Sequence, residues 1–303
     1  METLQTYQFK DMKITWLRGV DKLTDAGTLF GPVPKAIWSR YTPATDDNML
    51  CEYTDPILIQ YKGENYLIDA SFDTAKLPDK AKKNLGILTE SRIDESLTQL
   101  GLAPEDISHI FMSHMHHDHS GGLTRLDENG NYISRFPNAI IHVNEKEWED
   151  MKNPTARTRG TYLKENWEPI SHQVETFGDE YNFSPEISMH HTGGHSRGHS
   201  ILVLKQEEET LVYMADLMLS HAHRNPLWVT GVDDYPMDSI AQKEKWLNKG
   251  FKEGYRFMFY HDQFYAVVQF DETGQYLKDY LPRSREPRVQ FTEKQDKRIR
   301  ELN

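Results

Sequence analysis

Four histidines and one aspartate fall within six consecutive positions of the chain, in the segment HMHHDH at residues 114–119. Imidazole nitrogens and carboxylate oxygens at such close spacing are typical ligands of divalent metal ions. The apolar run ISHIFMS (107–113) before the segment predicts a buried strand, and SGGL (120–123) after it predicts a tight turn that opens a helix. The spacing HxHxDH therefore allows two ligand pairs, His114 with His116 for one ion and Asp118 with His119 for a second.

A single loop cannot complete two coordination spheres, so other segments must contribute ligands. His195 in GGHSRGH (193–199), Asp216 after ETLVYMA, and His261 after RFMFY each follow a strand-like run. Open sheets place their sites at strand ends, so these side chains are expected to converge on the first motif. With Asp216 shared between two ions about 3.5–4 Å apart, the set would form a two-metal hydrolytic site.

Three further residues beside these motifs have different predicted roles. His117 lies between the ligand positions and is expected to face away from the metals. Ligand histidines usually need a hydrogen-bond partner behind them. Asp69, at the end of NYLIDA, and His199, at the end of GGHSRGH, are the candidates for that supporting layer.

The elements that must position these residues alternate between strand-like and helical patterns. We predict a hairpin around Gly63-Glu64, a helix over 90–100, a helix over 238–251 capped by Asp238, and a last strand over 256–260. Asn144 is expected to cap a further helix, with Glu147 completing a capping box. Residues 153–185 are irregular, with a helix over 158–167, and we interpret them as a cap-like insertion. This order suits a doubly wound sheet or a four-layer αββα sandwich.

Length, charge and cysteine content narrow the class of protein. A chain of 303 residues with 37% hydrophobic residues and a net charge of -12 suits a globular protein and disfavours nucleic-acid binding. No apolar run is long enough to span a membrane, and the N-terminus lacks an apolar signal core. Cys51 is the single cysteine, so we expect a reducing, cytoplasmic location. The charged tail 292–303 is expected to be solvated.

The motifs HMHHDH and GGHSRGH, followed by Asp216 and His261, resemble those of the metallo-β-lactamase superfamily in residue type and order. The resemblance spans roughly residues 12–275. It implies an α/β fold, the αββα sandwich of two mixed sheets flanked by helices, built from residues 1–303 as a single domain. It also implies a dinuclear site at one edge with Asp69 behind the metals. Zinc β-lactamases use a late cysteine ligand, whereas Cys51 precedes the motif here, and His116 is retained where the di-iron redox branch has an acidic residue.

The segments MKITWLRG, GTLFGPVPKAIWSR, TDPILIQ and DLMLSHAHRNPLW are similar to those of YtnP-type lactonases of bacilli, which resemble quorum-quenching enzymes that open N-acyl-homoserine lactones. The resemblance implies a cofactor of two divalent ions, with Zn²⁺ favoured over Co, Mn or Fe. Studied lactonases carry a tyrosine three residues after the bridging aspartate, where this chain has Leu219. Candidates for contact with an acyl chain are Phe30, Trp38 and Trp228, and His221 and His223 are candidates for the pocket mouth.

The predicted chemistry is hydrolysis of a small lactone or ester by a hydroxide that bridges the metals, with Asp118 passing a proton to the leaving alkoxide. Two alternatives stay open. One is an aryl-ester or organophosphate hydrolase similar to methyl parathion hydrolase, and the other is a non-hydrolytic di-iron redox or metal-binding protein. No nucleic-acid or membrane partner is expected, and the aromatic N-terminal arm leaves room for a homodimer.

Overall fold

The computed structural model describes residues 3–292, so all of the predicted tail except Thr292 lies outside the described residues. The strands of this part are β1 (Gln5–Phe9), β2 (Met12–Trp16), β3 (Asp21–Asp25), β4 (Met49–Tyr53), β5 (Ile57–Tyr61), β6 (Glu64–Ile68), β7 (His109–Phe111), β8 (Thr124–Leu126), β9 (Tyr132–Ser134), β10 (Ile140–Asn144), β11 (Val174–Phe177), β12 (Glu180–Ser184), β13 (Ile187–His191), β14 (Ser200–Gln206), β15 (Glu209–Tyr213), β16 (Arg256–Met258), β17 (Tyr265–Phe270) and β18 (Leu277–Pro282).

The α-helices of the same residues are mostly short. They are α1 (Ala26–Phe30), α2 (Lys35–Trp38), α3 (Asp79–Asn84), α4 (Ile93–Gln99), α5 (His117–Ser120), α6 (Glu145–Lys152), α7 (Lys164–Trp167) and α8 (Pro236–Glu253). No helix among these residues is long and apolar enough to cross a membrane.

Two mixed seven-stranded sheets form the centre of the molecule. The first has the order β1-β2-β5-β6-β7-β10-β11 and the second the order β12-β13-β14-β15-β16-β17-β18. Strands β6, β7, β10 and β11 pair in parallel, as do β15 and β16, and the other neighbours are antiparallel. Two small hairpins, β3-β4 and β8-β9, stand beside the main sheets.

The central strands of both sheets, such as β5 and β14, are buried on both faces, and alternate side chains along each strand enter separate cores. Ile57 and Ile59 point into a core shared by the two sheets, whereas Leu58 between them packs with helix α4. In the second sheet Leu202 enters the shared core, and Val203 packs with helix α8. The order helix, sheet, sheet, helix is the αββα sandwich, which confirms the predicted fold class.

Several local predictions were confirmed. Strands β5 and β6 form the predicted hairpin, which turns at Lys62 and Gly63. Asn144 caps α6, because its side chain accepts a hydrogen bond from the backbone amide of Lys146. Helix α4 occupies most of the predicted range 90–100.

Other local predictions were wrong. Helix α8 begins at Pro236, so Asp238 lies in its first turn and does not cap it. Strand β16 is not the last, since β17 and β18 follow it. Of the predicted helix 158–167 only Lys164–Trp167 is helical. The segment 153–185 is also not one insertion, because β11 joins the first sheet and β12 begins the second.

Candidate metal centre

The predicted ligands come together because the strands that carry them end at one edge of the sandwich. His114, Asp216 and His261 each lie three residues beyond a strand end, at Phe111, Tyr213 and Met258 respectively. The three strand ends point into the core between the two sheets. His116 follows His114, Asp118 and His119 lie on the short helix α5, and His195 lies in the loop between β13 and β14.

Seven side chains form three overlapping groups whose ligand-type atoms all lie within 4.8 Å of one another in each group. The groups are His114 with His116 and His195, His114 with His119 and Asp216, and Asp118 with His119 and His261. These are the seven residues that the sequence motifs predict as metal ligands. His117 belongs to none of the groups, and its ring nitrogen lies 3.0 Å from Oγ1 of Thr161.

Asp216 lies between the two halves of the centre. Its Oδ1 is 3.2 Å from Nε2 of His119 and 3.3 Å from Nε2 of His261. Its Oδ2 is 3.2 Å from Nε2 of His195 and 3.8 Å from Nε2 of His114. One carboxylate therefore presents one oxygen to each half, which is the arrangement that a residue shared by two cations requires.

The outer nitrogen of each of three imidazoles is fixed by a hydrogen-bond acceptor. Nδ1 of His119 donates to Asp69 at 2.8 Å, and Nδ1 of His195 donates to Asp233 at 2.9 Å. Nδ1 of His261 donates to the backbone carbonyl of Tyr53 at 2.8 Å. Because these acceptors hold the ring proton on Nδ1, each ring in its neutral form has a lone pair on Nε2 that points into the centre.

Asp69 lies directly behind the centre and holds several elements together. Its carboxylate accepts from the amide and hydroxyl of Ser113 at 2.8 and 2.7 Å, and from the hydroxyl of Tyr213 at 2.7 Å, besides His119. Asp69 has a φ of 51°, and Ala215, next to Asp216, has a φ of 45°. Left-handed backbone at non-glycine residues is costly and is concentrated at functional sites.

His199 also lies beside the centre, with its ring centroid 5.4 Å from that of His114. Its Nδ1 lies 2.8 Å from the hydroxyl of Thr192. Its Nε2 is buried and has no hydrogen-bond partner among the described residues. The structure therefore brings His199 next to the ligand candidates without a hydrogen bond to any of them.

The residues present fit a pair of divalent cations. Nε2 of His114 and Oδ1 of Asp216 are buried and form no hydrogen bond within residues 3–292. Nε2 of His119 and Nε2 of His261 approach to 3.2 Å, and Nε2 of His195 lies 3.0 Å from Nδ1 of His116. The lone pairs of neutral His119 and His261 that face one another in this way need positive charge between them. Five imidazoles and two carboxylates are a donor set that suits Zn²⁺, Co²⁺, Mn²⁺ or Fe²⁺.

Charges within the centre are strongly coupled. Burial lowers the pKa of His114 and His116 well below the usual histidine range, and neighbouring imidazoles add to the effect. Burial acts on His119 in the same direction, but Asp216 and Asp69 outweigh it and raise the pKa of His119 well above that range. Burial would raise the pKa of Asp216, yet His119, His261 and His195 hold it well below its usual value. Asp216 is therefore an anion that needs positive charge around it.

A cavity of about 320 Å³ opens beside the centre. The metal-ligand candidates that line it are His116, Asp118, His195 and Asp216. Leu29, Leu219 and Val232 provide apolar wall, and Arg157 lies at the rim, where its side chain is 58% exposed and pairs with Asp234. The volume falls within the range of small-molecule sites.

The four predicted substrate contacts, Phe30, Trp38, His223 and Trp228, do not line this cavity. Phe30 stacks on Trp38 and His223, with ring centroids 5.0 and 4.5 Å apart, and Trp228 meets Phe30 edge-on at 5.8 Å. Phe30 and Trp38 belong to a buried apolar cluster that also contains Leu29, and His223 is buried against Phe30. These rings support the apolar wall from behind.

His221, the second histidine predicted for the pocket mouth, does not line the cavity either. Its ring instead lies 2.7 Å from the carboxylate of Asp262.

Sequence patterns missed several residues that surround the centre. Lys22 and Glu52 lie opposite each other on β3 and β4, and both line the cavity. Burial acts to lower the pKa of Lys22, but Glu52 and Asp118 outweigh it and raise the pKa above the usual lysine value. Asp233 supports His195 from 38 residues further along the chain. Only the three-dimensional pairing reveals these partners, because none belongs to a local motif.

Comparison with known proteins agrees with this geometry. The family model for the metallo-beta-lactamase superfamily matches residues 51–253. A solved structure described as a probable metal-dependent hydrolase from Staphylococcus aureus superposes with a TM-score of 0.88 at 38% identity, covering 92% of this chain and 100% of that one.

Lactonases are among the other similar proteins. An N-acyl homoserine lactonase of Bacillus cereus is 35% identical over 125 residues, which is 41% of this chain and 44% of that protein. The chain thus spans less than half the length of this relative. AidC, a dizinc quorum-quenching lactonase solved with the product N-hexanoyl-L-homoserine, shares the fold with a TM-score of 0.73 at 17% identity, covering 93% of this chain and 98% of AidC.

Proposed function

The chain belongs to the metallo-β-lactamase superfamily, and on that basis we propose that it is a metal-dependent hydrolase that opens the ring of N-acyl-homoserine lactones. The observation that carries the proposal is the position of Asp216, with one carboxylate oxygen facing each half of the histidine cluster. The relatives named as N-acyl homoserine lactonases support the substrate class.

The proposed metal site uses the seven clustered side chains. His114, His116 and His195 would hold one ion, Asp118, His119 and His261 would hold the other, and Asp216 would contact both. When bound, two such cations, Zn²⁺ in our proposal, would polarise the lactone carbonyl and lower the pKa of a bound water towards about 7.

Asp118 is the proposed proton carrier of the reaction. Its carboxylate lines the cavity next to the centre, so it can accept a proton from the attacking water and pass it to the ring oxygen. Burial raises the pKa of Asp118, but Lys22 opposes this most strongly and holds the pKa below the usual range. Asp118 therefore starts the reaction as a base.

The cavity walls fit an amide with an aliphatic chain. Leu29, Leu219 and Val232 offer apolar contact to the chain, and Thr28 and Thr230 add hydroxyl groups. The net charge of -12 does not oppose an uncharged lactone of this kind.

A lactone panel on protein of known metal content tests the proposal. Metal-loaded enzyme should release protons from N-acyl-homoserine lactones of several chain lengths in a pH-stat, with about two metal ions per chain. His116→Ala should lower the rate by more than about 100-fold, because even the loss of an outer partner of a ligand costs 10- to 100-fold. His172→Ala removes an exposed histidine and serves as the matched control.

Other outcomes separate the rival activities. Turnover of paraoxon or phenyl esters without lactone opening would replace the proposal with an ester or organophosphate hydrolase. A redox-active iron pair without any hydrolysis would refute hydrolytic function altogether.

A further inference from the structure

Lys22 places an ammonium group in the cavity wall beside the proposed reaction centre. Apart from histidines, Lys22 and Arg157 are the cationic residues that line this cavity in the described part of the chain. Arg157 lies at the exposed rim and is engaged by Asp234. The Lys22 side chain is only 12% exposed, so its charge acts within the cavity and is weakly screened by solvent.

The hairpin β3-β4 fixes the direction of this side chain. Lys22 pairs with Glu52 across the hairpin, and Nζ of Lys22 lies 3.5 Å from Oε2 of Glu52. Nζ also lies 3.4 Å from Oδ2 of Asp118. An ammonium group has three N–H donors, of which Asp118 accepts one at this long distance, while Oε2 of Glu52 pairs with the charge without accepting a hydrogen bond. Donor capacity therefore remains for a ligand in the cavity.

We propose that Lys22 is a catalytic residue that donates a hydrogen bond to the ring oxygen of the lactone as the bond between the carbonyl carbon and that oxygen breaks. The inference rests on the proposed hydrolytic function. Lys22 adjoins Asp118, so the proton carrier and a fixed positive charge act on the same leaving oxygen.

The atoms of this step balance without any further reactant. The oxygen of water forms a bond to the carbonyl carbon, and the bond from that carbon to the ring oxygen breaks. One proton of water passes through Asp118 to the ring oxygen, which becomes a hydroxyl group, and the product is a hydroxy acid. Lys22 keeps all of its protons, since it only stabilises the negative charge that develops on the leaving oxygen.

Dependence on the leaving group distinguishes this role from a structural one. The substrates are a γ-lactone, whose alkoxide leaves poorly, the matching thiolactone, and phenyl acetates with nitro substituents that leave progressively better. Lys22→Met should lower kcat/KM for the γ-lactone about 100-fold, as expected for the loss of one charge-stabilising donor. The loss should shrink steadily along the series and nearly vanish for 4-nitrophenyl acetate, while Lys22→Arg should restore part of the γ-lactone rate.

Two measurements besides turnover accompany the rates. Metal content should stay at the wild-type level in each variant. Calorimetric affinity for the hydroxy-acid product should fall about tenfold in Lys22→Met, because its hydroxyl group loses a charged hydrogen-bond donor. Lys22→Gln replaces Lys22→Met if the latter does not fold. Lys62→Met, which removes an exposed lysine paired with Glu186, is the matched control.

The outcomes separate the two proposals. An equal loss for all substrates, or no loss, would overturn the role of Lys22 while leaving the lactonase activity intact. A wild-type enzyme that cleaves phenyl esters but no lactone would overturn the lactone assignment, and the phenyl ester series would still decide the role of Lys22. A metal-loaded enzyme without any hydrolysis would overturn both.

Discussion

Glu147 is a buried carboxylate that connects two of the loops bearing metal-ligand candidates. It lies on α6 and is fully buried. Its Oε1 accepts from the amide of Met115 and the hydroxyl of Tyr162, both at 2.8 Å, and its Oε2 accepts from the hydroxyl of Ser196 at 2.6 Å. Met115 separates His114 from His116, and Ser196 follows His195, so one side chain fixes both loops.

The number of donors sets the size of the effect. Glu147→Ala leaves three buried donors without an acceptor, and each such group costs about 1–3 kcal/mol. With partial relaxation we expect the free energy of unfolding to fall by about 3–5 kcal/mol. Glu147→Gln keeps an acceptor for Met115 and Tyr162, and its amide can donate to the Ser196 oxygen, so the expected loss is about 1–2 kcal/mol.

Urea unfolding of metal-free protein, monitored by circular dichroism, measures these differences. Metal titration should also show affinity weakened by about 10- to 100-fold in Glu147→Ala, since both loops lose a support. Glu145→Ala, at an exposed position on the same helix, is the control and should stay within about 0.5 kcal/mol of the wild type. A Glu147→Ala protein with unchanged stability and metal affinity would refute the reasoning.

Three further predictions concern other parts of the molecule. Burial, together with His109, lowers the pKa of His142 to about 4. As pH falls from 6.5 to 4, His142 is therefore protonated in the unfolded chain while it stays neutral in the folded protein. The free energy of unfolding should drop by up to about 3 kcal/mol in that window. His142→Gln should flatten this slope in pH-dependent urea unfolding, and an unchanged slope would contradict the assignment. Asp233→Asn should weaken metal binding about 10- to 100-fold in a chelator competition, because it alters the acceptor for His195, and unaltered affinity would count against that role. Gly198→Ala should destabilise the fold by more than about 4 kcal/mol, because its Cβ would lie 2.1 Å from the backbone nitrogen of Glu147, and a normal melting temperature would disprove this.

The ligand candidates could be found from sequence because each carries a local signal. HMHHDH is recognisable by composition alone, and Asp216 and His261 each follow an apolar strand-like run. The periodicity of strands is a backbone property that holds whatever the partner strand is. Strand ends in an open sheet then place these side chains at a common edge, as the three-residue spacing after β7, β15 and β16 illustrates.

Residues that depend on long-range pairing could not be found in this way. The pattern around Asn144 predicts that Glu147 turns back to cap its own helix, but the side chain accepts hydrogen bonds from Met115, Tyr162 and Ser196. Three hydrogen bonds from other segments stabilise this carboxylate more than a single hydrogen bond from a backbone amide of its own helix would. Tertiary contacts therefore override the local capping rule.

The aromatic segments that carry Phe30 and Trp38 show a different limit of prediction from sequence. Their resemblance to lactonase segments is a likeness of sequence, which does not reveal the direction in which a ring points. Phe30 and Trp38 stack on each other and leave Leu29 to face the cavity.

The supporting hydrogen bonds reveal a symmetry in how the centre is built. Each half contains one histidine backed by a carboxylate, His195 by Asp233 and His119 by Asp69. A carboxylate behind an imidazole raises the basicity of the inner nitrogen, so each proposed metal receives one strengthened ligand. The two supports differ in what else they hold. Asp233 also accepts from Thr230 in its own loop at 2.6 Å, whereas Asp69 also accepts from Ser113 and Tyr213 and thereby links both sheets. Loss of the Asp233 carboxylate should therefore weaken one ligand, while loss of the Asp69 carboxylate should destabilise the sandwich that positions all of them.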